Sequence, residues 1–201
     1  MGSNILGTAR QIFISLTHVR GSHTCTCFGL MDLDYFDFSP TLKKMLSTGL
    51  TVRKDGEVVE VGGGASTLNN LRLIREILLD LKPTNTMEVG LAYGASALSI
   101  LGTLKENKVE PFCHTAIDPF QTKRWGGSSI RSIEEENCAD NFIFHEGYSS
   151  FVLPELIQKG HKFEFIYVDG SHLFEDVFLD FYYSTILLEE NGLVLFDDCG
   201  T

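Results

Sequence analysis

The sequence predicts an α/β fold, a doubly wound and mainly parallel sheet with helices on both faces. Three observations predict it. From Thr84 onward, short apolar runs alternate with segments of helical periodicity, the pattern of βαβ units joined by right-handed crossovers. One junction, Thr86-Met-Glu-Val-Gly-Leu-Ala-Tyr-Gly-Ala-Ser96, passes from an apolar run through Gly90 and Gly94 into an alternating apolar and small-residue helix. The apolar runs also end in acids, near Glu88 and at Asp118, Asp169 and Asp197-Asp198, on the sheet edge where ligands of such folds sit.

Residues 1–40 are the least regular. Gln11 to Val19 is β-rich, Arg20-Gly-Ser-His23 reads as a turn, and Thr24 to Leu30 suits a returning strand. An expression-vector remnant is a second reading for part of this stretch. Ser39-Pro40 opens a short helix, with Ser as the cap and Pro at the first helical position. Gly62-Gly-Gly64 marks a hinge or entrance loop, since no Gly-Lys-Ser/Thr follows to make it a phosphate loop. Ser66 or Thr67 then caps a helix with Leu71, Ile74, Leu78 and Leu81 on one face, ended by Pro83. These boundaries predict an N-terminal extension and entrance segment over 1–65 and a ligand-binding domain over 66–201.

Within that domain the first strand ends at Gly90 and a helix runs from about Ala92 to Glu106. Phe112 to Asp118 is the second strand, followed by a helix near Ile130 to Cys138. Asn141 to His145 is the third strand, and Ser149 to Lys159 a helix interrupted early by Pro154. Phe163 to Asp169 is the fourth strand. Leu173 to Glu190 is a long helix whose aromatics, Phe174 and Phe178 with Phe181, sit at core spacing, and Gly192 to Asp197 is the fifth strand.

Composition narrows the partners. With 43% hydrophobic and 21% charged residues, the 201-residue chain can bury one sizeable core. A formal charge of −11 argues against nucleic acid and against a polybasic membrane contact. No apolar run reaches transmembrane length, and the start lacks the charged and apolar regions of a secretory signal. Five cysteines form no even framework, so a reduced, cytoplasmic setting is expected. Cys25-Thr-Cys27 has no second pair at zinc spacing.

The glycine turn has the form E-x-G-x-x-x-G. It is not the dinucleotide spacing G-x-G-x-x-G, because Ala92 and Ala95 interrupt it. Its glycines allow close approach of a ligand and its free N–H groups favour an anion, although a tight βα connection without a ligand has the same look. Asp118 stands one βαβ unit beyond, where an acid can accept both ribose hydroxyls of a nucleoside or cap the next stretch of chain. Asp169, Asp197 and Asp198 can hold a hard divalent cation through oxygen or remain solvated caps.

Taken together, Glu88-Val-Gly-Leu-Ala-Tyr-Gly94, Ala116-Ile-Asp118, Val168-Asp-Gly-Ser-His172 and Gly192-Leu-Val-Leu-Phe-Asp-Asp198 resemble the class I S-adenosylmethionine-dependent methyltransferases. The resemblance is nearest to the cation-dependent small-molecule O-methyltransferases of catechol and macrocin type, and covers about Ser66 to the end. It implies a Rossmann-like sheet and S-adenosylmethionine as cofactor. Glu88, Gly90, Tyr93, Gly94 and Ser96 would shape the methionine end of the pocket and Asp118 would hold the ribose. Gly147 and Ser149, within Glu146-Gly-Tyr-Ser149, would border the adenine. Asp169, Asp197 and Asp198 would bind Mg²⁺ or another divalent cation. His172 and Asp169 are the implied catalytic pair, with His172 as the base; a cap on the following helix is the other use of His172.

The acceptor implied is a hydroxylated small molecule such as a sugar, a catechol or a natural product, and a homodimer is allowed. A nicotinamide-dependent oxidoreductase and a non-catalytic module of the same fold are the competing readings. The loop Phe120-Gln-Thr-Lys-Arg-Trp-Gly-Gly127 carries the only Trp and a glycine pair, and suits a lid with glycine hinges. The resembled family adds a strand pair after the fifth strand. Here the sequence ends at Thr201, so three readings arise: a shortened chain, a covering partner, or Gln11 to Leu30 filling the edge.

Overall fold

The computed structural model describes residues 12–15, 33–108 and 110–197. β1 (Ile12–Ser15) lies first in the chain, followed by a hairpin of β2 (Leu50–Val52) and β3 (Val58–Glu60). The main sheet adds β4 (Asn85–Val89), β5 (Cys113–Ile117), β6 (Phe142–His145), β7 (Phe163–Val168) and β8 (Leu188–Phe196). Its order is β1-β8-β7-β4-β5-β6, every pair parallel. Winding reverses between β4 and β7, so the crevice at their carboxyl ends is where such a sheet accepts a ligand.

β1 occupies the edge beside β8, with Ile12 opposite Leu193 and Ser15 opposite Phe196. The N-terminal segment thus fills the position that the sequence left open. The turn and second strand expected at Arg20 to Leu30 lie outside the described residues.

The helices start where local chemistry dictates. In α1 (Pro40–Thr48), the Ser39 hydroxyl accepts the Leu42 N–H and Gly49 closes the helix at φ 68°. In α2 (Leu68–Leu81), Thr67 is the cap that accepts the Asn70 N–H, and Leu71, Ile74 and Leu78 are buried, each worth about 2 kcal/mol in burial. α3 (Ala95–Asn107) is covered from Ala95 to Leu104. Its small residues let neighbours close in: a Cβ on Gly102 would meet Phe38 and Ser39. Phe36, Leu42 and Met45 belong to the same core as α2 and α3, so residues 33–65 pack as part of the domain.

α4 (Ser128–Glu135) begins slightly earlier than the periodicity predicts, because Gly127 at φ 66° supplies its cap. α5 (Ser149–Gln158) continues through Pro154. α6 (Phe174–Leu187) corrects a sequence expectation. Phe174 is 81% exposed and Phe178 55%, and Phe181 is also exposed. The stripe turned inward is Asp180, Ser184 and Leu187. Both stripes recur at helical spacing, and the packing of α6 against α5 selects the more polar one. Among the described residues, no helix is long and apolar enough to cross a membrane.

Candidate functional site

Two chambers open at the carboxyl edge of the sheet and share Gly90, Ala92, Arg124, Trp125, Asp169 and Gly170. The first, about 360 Å³, is bordered further by Gly63 to Thr67, Ser96, His172 and Asp197. The second, about 350 Å³, has Val89, Ile117, Pro119, Phe120, Tyr148 and Leu173 as apolar walls, with Asp118, Ser149 and Asp180 as polar groups.

The turn after β4 is built for close approach. Gly90 has φ 94°, and a Cβ there would lie 2.1 Å from the Asp169 carbonyl oxygen. Gly94 caps α3 at φ 84° against Ser129. Ala92 takes φ 41°, which costs a side-chain-bearing residue free energy. Asp118 holds it there. One carboxylate oxygen accepts the N–H groups of Leu91 (3.1 Å) and Ala92 (2.8 Å), and the other accepts that of Phe120 (2.7 Å). The acid beyond the glycine turn therefore sits against the turn, and its first task is to satisfy three backbone donors.

Asp169 and Asp197 converge on Tyr167. Its hydroxyl lies 3.1 Å from one Asp169 oxygen and 3.0 Å from one Asp197 oxygen. Two further donors reach the pair: the Ser66 hydroxyl to Asp169 (3.2 Å) and the Asn70 amide to Asp197 (2.6 Å). Burial, then the two carboxylates, push the Tyr167 phenol well above its ordinary pKa. Among the described residues no group of three His, Cys, Asp or Glu is placed to hold a metal, and Asp198 lies outside them. The Asp169 and Asp197 carboxylates offer hard oxygens, the kind that fits a Mg²⁺-type ion.

The other expected residues divide. Ser96 and exposed His172 border the first chamber and Ser149 the second. Glu88 borders neither. It is fully buried on β4, with His114 Nε2 3.3 Å from one carboxylate oxygen. Tyr93 stands behind the wall, edge-on to Trp125 and against Gly64. Gly147 faces Val152 rather than a chamber.

The loop over 120–127 is fastened rather than hinged. Gln121, 1% exposed, donates to the Ala92 carbonyl (2.6 Å) and accepts from Ser129 (2.7 Å). The Gly126 carbonyl accepts the Lys54 N–H, and the Gly127 N–H donates to the Gln121 carbonyl. Arg124 stacks over Trp125 at 4.5 Å. The glycines expected as hinges serve the start of α4.

Sequence reasoning missed Gln121, Asn70, Tyr167 and Asp180. Tyr167 could have been found: it stands two residues before Asp169, which directly follows β7, and alternation along the extended chain puts the two on one face. Asp180 is 1% exposed, and burial foremost pushes its carboxyl up to about 6; a hydrogen bond with Ser149 opposes this and Asp176 adds to it. The folded state thus binds the Asp180 proton more tightly than the unfolded chain. Its destabilising contribution is full above pH 6 and fades as pH falls toward 4. Wild type should gain about 2–3 kcal/mol relative to Asp180→Asn between pH 7 and pH 4, read from paired urea titrations; parallel curves would refute the assignment.

A family model described as a methyltransferase domain matches residues 87–199, more than half of the chain. The chain belongs to this methyltransferase-domain family. Among curated proteins, none matches it. Its structure is similar to that of the O-methyltransferase from Bacillus cereus in complex with SAH, with a TM-score of 0.60 at 15% identity over 74% of this chain and 61% of that one. TomG from Streptomyces achromogenes, an O-methyltransferase involved in tomaymycin synthesis and solved with SAM, gives 0.56 at 18% identity over 64% and 54%. SAH-bound PaMTH1, a methyltransferase from Podospora anserina, gives 0.55 at 20% over 66% and 53%. At these identities the likeness is one of fold, and the methyltransferase-domain chain spans about half to three fifths of these relatives' length.

Proposed function

We propose that the protein transfers a methyl group from S-adenosylmethionine to a hydroxyl of a small molecule, with a divalent cation held by Asp169, Asp197 and Asp198. The observation that carries this reading is the pair of chambers meeting at Gly90 and Asp169. An apolar-walled chamber beside Asp118 suits a nucleoside, and the more polar chamber that holds Asp197, Ser66 and His172 beside Asp169 suits an acceptor. Bound SAM or SAH in the fold relatives supports the cofactor.

In this reading Asp118 accepts from the ribose hydroxyls while keeping its hold on the turn, and Ser149 borders the base. The missing Cβ of Gly90 lets the Asp169 and Gly170 backbone close against the turn where the two chambers meet. Ser66, Asn70 and Tyr167 orient the carboxylate pair. When bound, the cation supplies Lewis-acid polarisation that lowers the acceptor hydroxyl's pKa. His172, at the rim of the first chamber, takes the acceptor's proton. Alignment of the two reactants carries most of an in-line displacement. A homodimer belongs to the same proposal, motivated by the exposed aromatics of α6 and checked by light scattering.

Calorimetry with S-adenosylhomocysteine and with NADH tests the cofactor, and tight binding of NADH alone would reject the reading. For the cation, Asp169→Asn should abolish Mn²⁺ binding by electron paramagnetic resonance while S-adenosylhomocysteine affinity stays within about threefold. Retained Mn²⁺ binding in the variant would remove Asp169 as a ligand, and wild type that binds no Mn²⁺ would remove the cation. Labelled S-adenosylmethionine offered with sugars, catechols and polyketides identifies the acceptor.

A further inference from the structure

An apolar surface runs from the mouth of the second chamber down the outward side of α6. Phe174, Phe178, Tyr182 and Ile186 stand four residues apart and are all exposed, so they form one ridge along the helix. Leu173, 60% exposed, continues the ridge to the chamber, which it borders together with Tyr148, 57% exposed. On α5, which packs against α6, Phe151 is 70% exposed. With roughly 200 Å² on each aromatic side chain, these residues leave about 700 Å² open. The largest apolar patch of a typical monomer is about 300–600 Å², whereas each side of a standard protein interface is about 800 Å². The surface is therefore the size of an interface.

Charge and symmetry say what covers it. α6 carries no Lys, Arg or His, and the chain has a formal charge of −11, which disfavours an anionic lipid surface. The ridge suits its own copy. Its middle members, Phe178 and Tyr182, lie at the centre of the helix. A two-fold axis there, perpendicular to the mean helix direction, sets the ridge of each helix in the groove beside the other, inclined by about 50°. Two helices related in this way run antiparallel. Glu175 is exposed at one end of the ridge, and at the other end exposed Lys162 donates to the Ile186 carbonyl (2.6 Å). The antiparallel crossing brings the acid of one copy toward the base of the other and keeps the two acids apart.

We propose that a second copy of this chain docks on the ridge through an antiparallel pair of α6 helices and walls the mouth of the second chamber beside Leu173 and Tyr148. Dimerisation and nucleoside binding then strengthen each other by the same factor. The linkage rests on the reading of that chamber as the nucleoside site; the interface stands on the ridge.

Sedimentation velocity over a dilution series of the full chain, with and without S-adenosylhomocysteine, tests both, together with calorimetry. Wild type should be dimeric at about 50 µM, and saturating S-adenosylhomocysteine should tighten the dimer by about tenfold or more. In Phe178→Lys, like charges meet at the axis, so this variant should be monomeric at that concentration and bind S-adenosylhomocysteine about tenfold or more weakly. Phe174→Lys alters the most exposed residue of the ridge and carries the test if Phe178→Lys does not fold. Val58→Lys, at an exposed apolar residue of β3, is the control and should change neither property. A monomeric wild type overturns the proposal, as do ridge variants that remain dimeric. Variants that are monomeric with unchanged S-adenosylhomocysteine affinity overturn the linkage. In all three cases tight S-adenosylhomocysteine binding by wild type leaves the methyltransferase reading standing. A dimer that binds no S-adenosylhomocysteine overturns that reading and the linkage with it.

Discussion

Gly90→Ala should lose about 3–5 kcal/mol of stability, about 10 °C in melting temperature for a chain of this length, together with S-adenosylhomocysteine binding. The new methyl carbon would stand 2.1 Å from the Asp169 carbonyl oxygen, 2.6 Å from its carbon and 2.7 Å from the Gly170 Cα. None of these is the movable end of a side chain. Relief requires the ends of β4 and β7 to part, yet Gly90 donates to the Ile117 carbonyl and Asp169 donates to the Val89 carbonyl, both at 2.9 Å. The residue also sits at φ 94°. Gly160→Ala is the control. It has φ 74° and nothing within 4 Å, so it should cost only the conformational strain, about 1 kcal/mol. Similar melting temperatures for the two variants would show that contact with Asp169 does not limit this turn.

Asp118→Ala should cost about 3 kcal/mol or more and weaken S-adenosylhomocysteine binding by at least about tenfold. It strands the N–H groups of Leu91, Ala92 and Phe120 and removes what holds Ala92 at φ 41°. Asp118→Asn should cost roughly half as much, since an amide oxygen can still serve Leu91 and Ala92 while its NH₂ opposes the Phe120 donor. Urea titration of the three proteins checks the order. An Asn variant less stable than the Ala variant would mean that the turn is held by other contacts.

What the sequence made legible was everything governed by short-range rules. Strand and helix order from Thr84 on, the caps at Ser39 and Thr67, the glycine turn, and the gathering of Asp118, Asp169 and Asp197 on one rim all follow from spacing and the winding rule. Illegible were the contacts between remote segments. Asn70 meets Asp197 across 127 residues, and no local pattern marks either as the other's partner. Gln121 reads as one polar residue in a polar loop until its amide is seen bridging Ala92 and Ser129. The phase of α6 was misjudged because hydrophobicity favours Phe174 and Phe178, whereas the helix turns Asp180 and Ser184 inward.

The edge pairing of β1 with β8 bears on how the molecule is assembled. Ile12 meets Leu193 and Ser15 meets Phe196, so this ladder closes a loop containing nearly every other element. Loop closure at such separation adds little to the equilibrium cost, because the entropy grows only logarithmically, but it delays formation. On the ribosome, where synthesis runs from the amino end, Ile12–Ser15 is made well before the β8 residues it pairs with and must wait for them. Of the described strands, the first to be translated is among the latest to be seated.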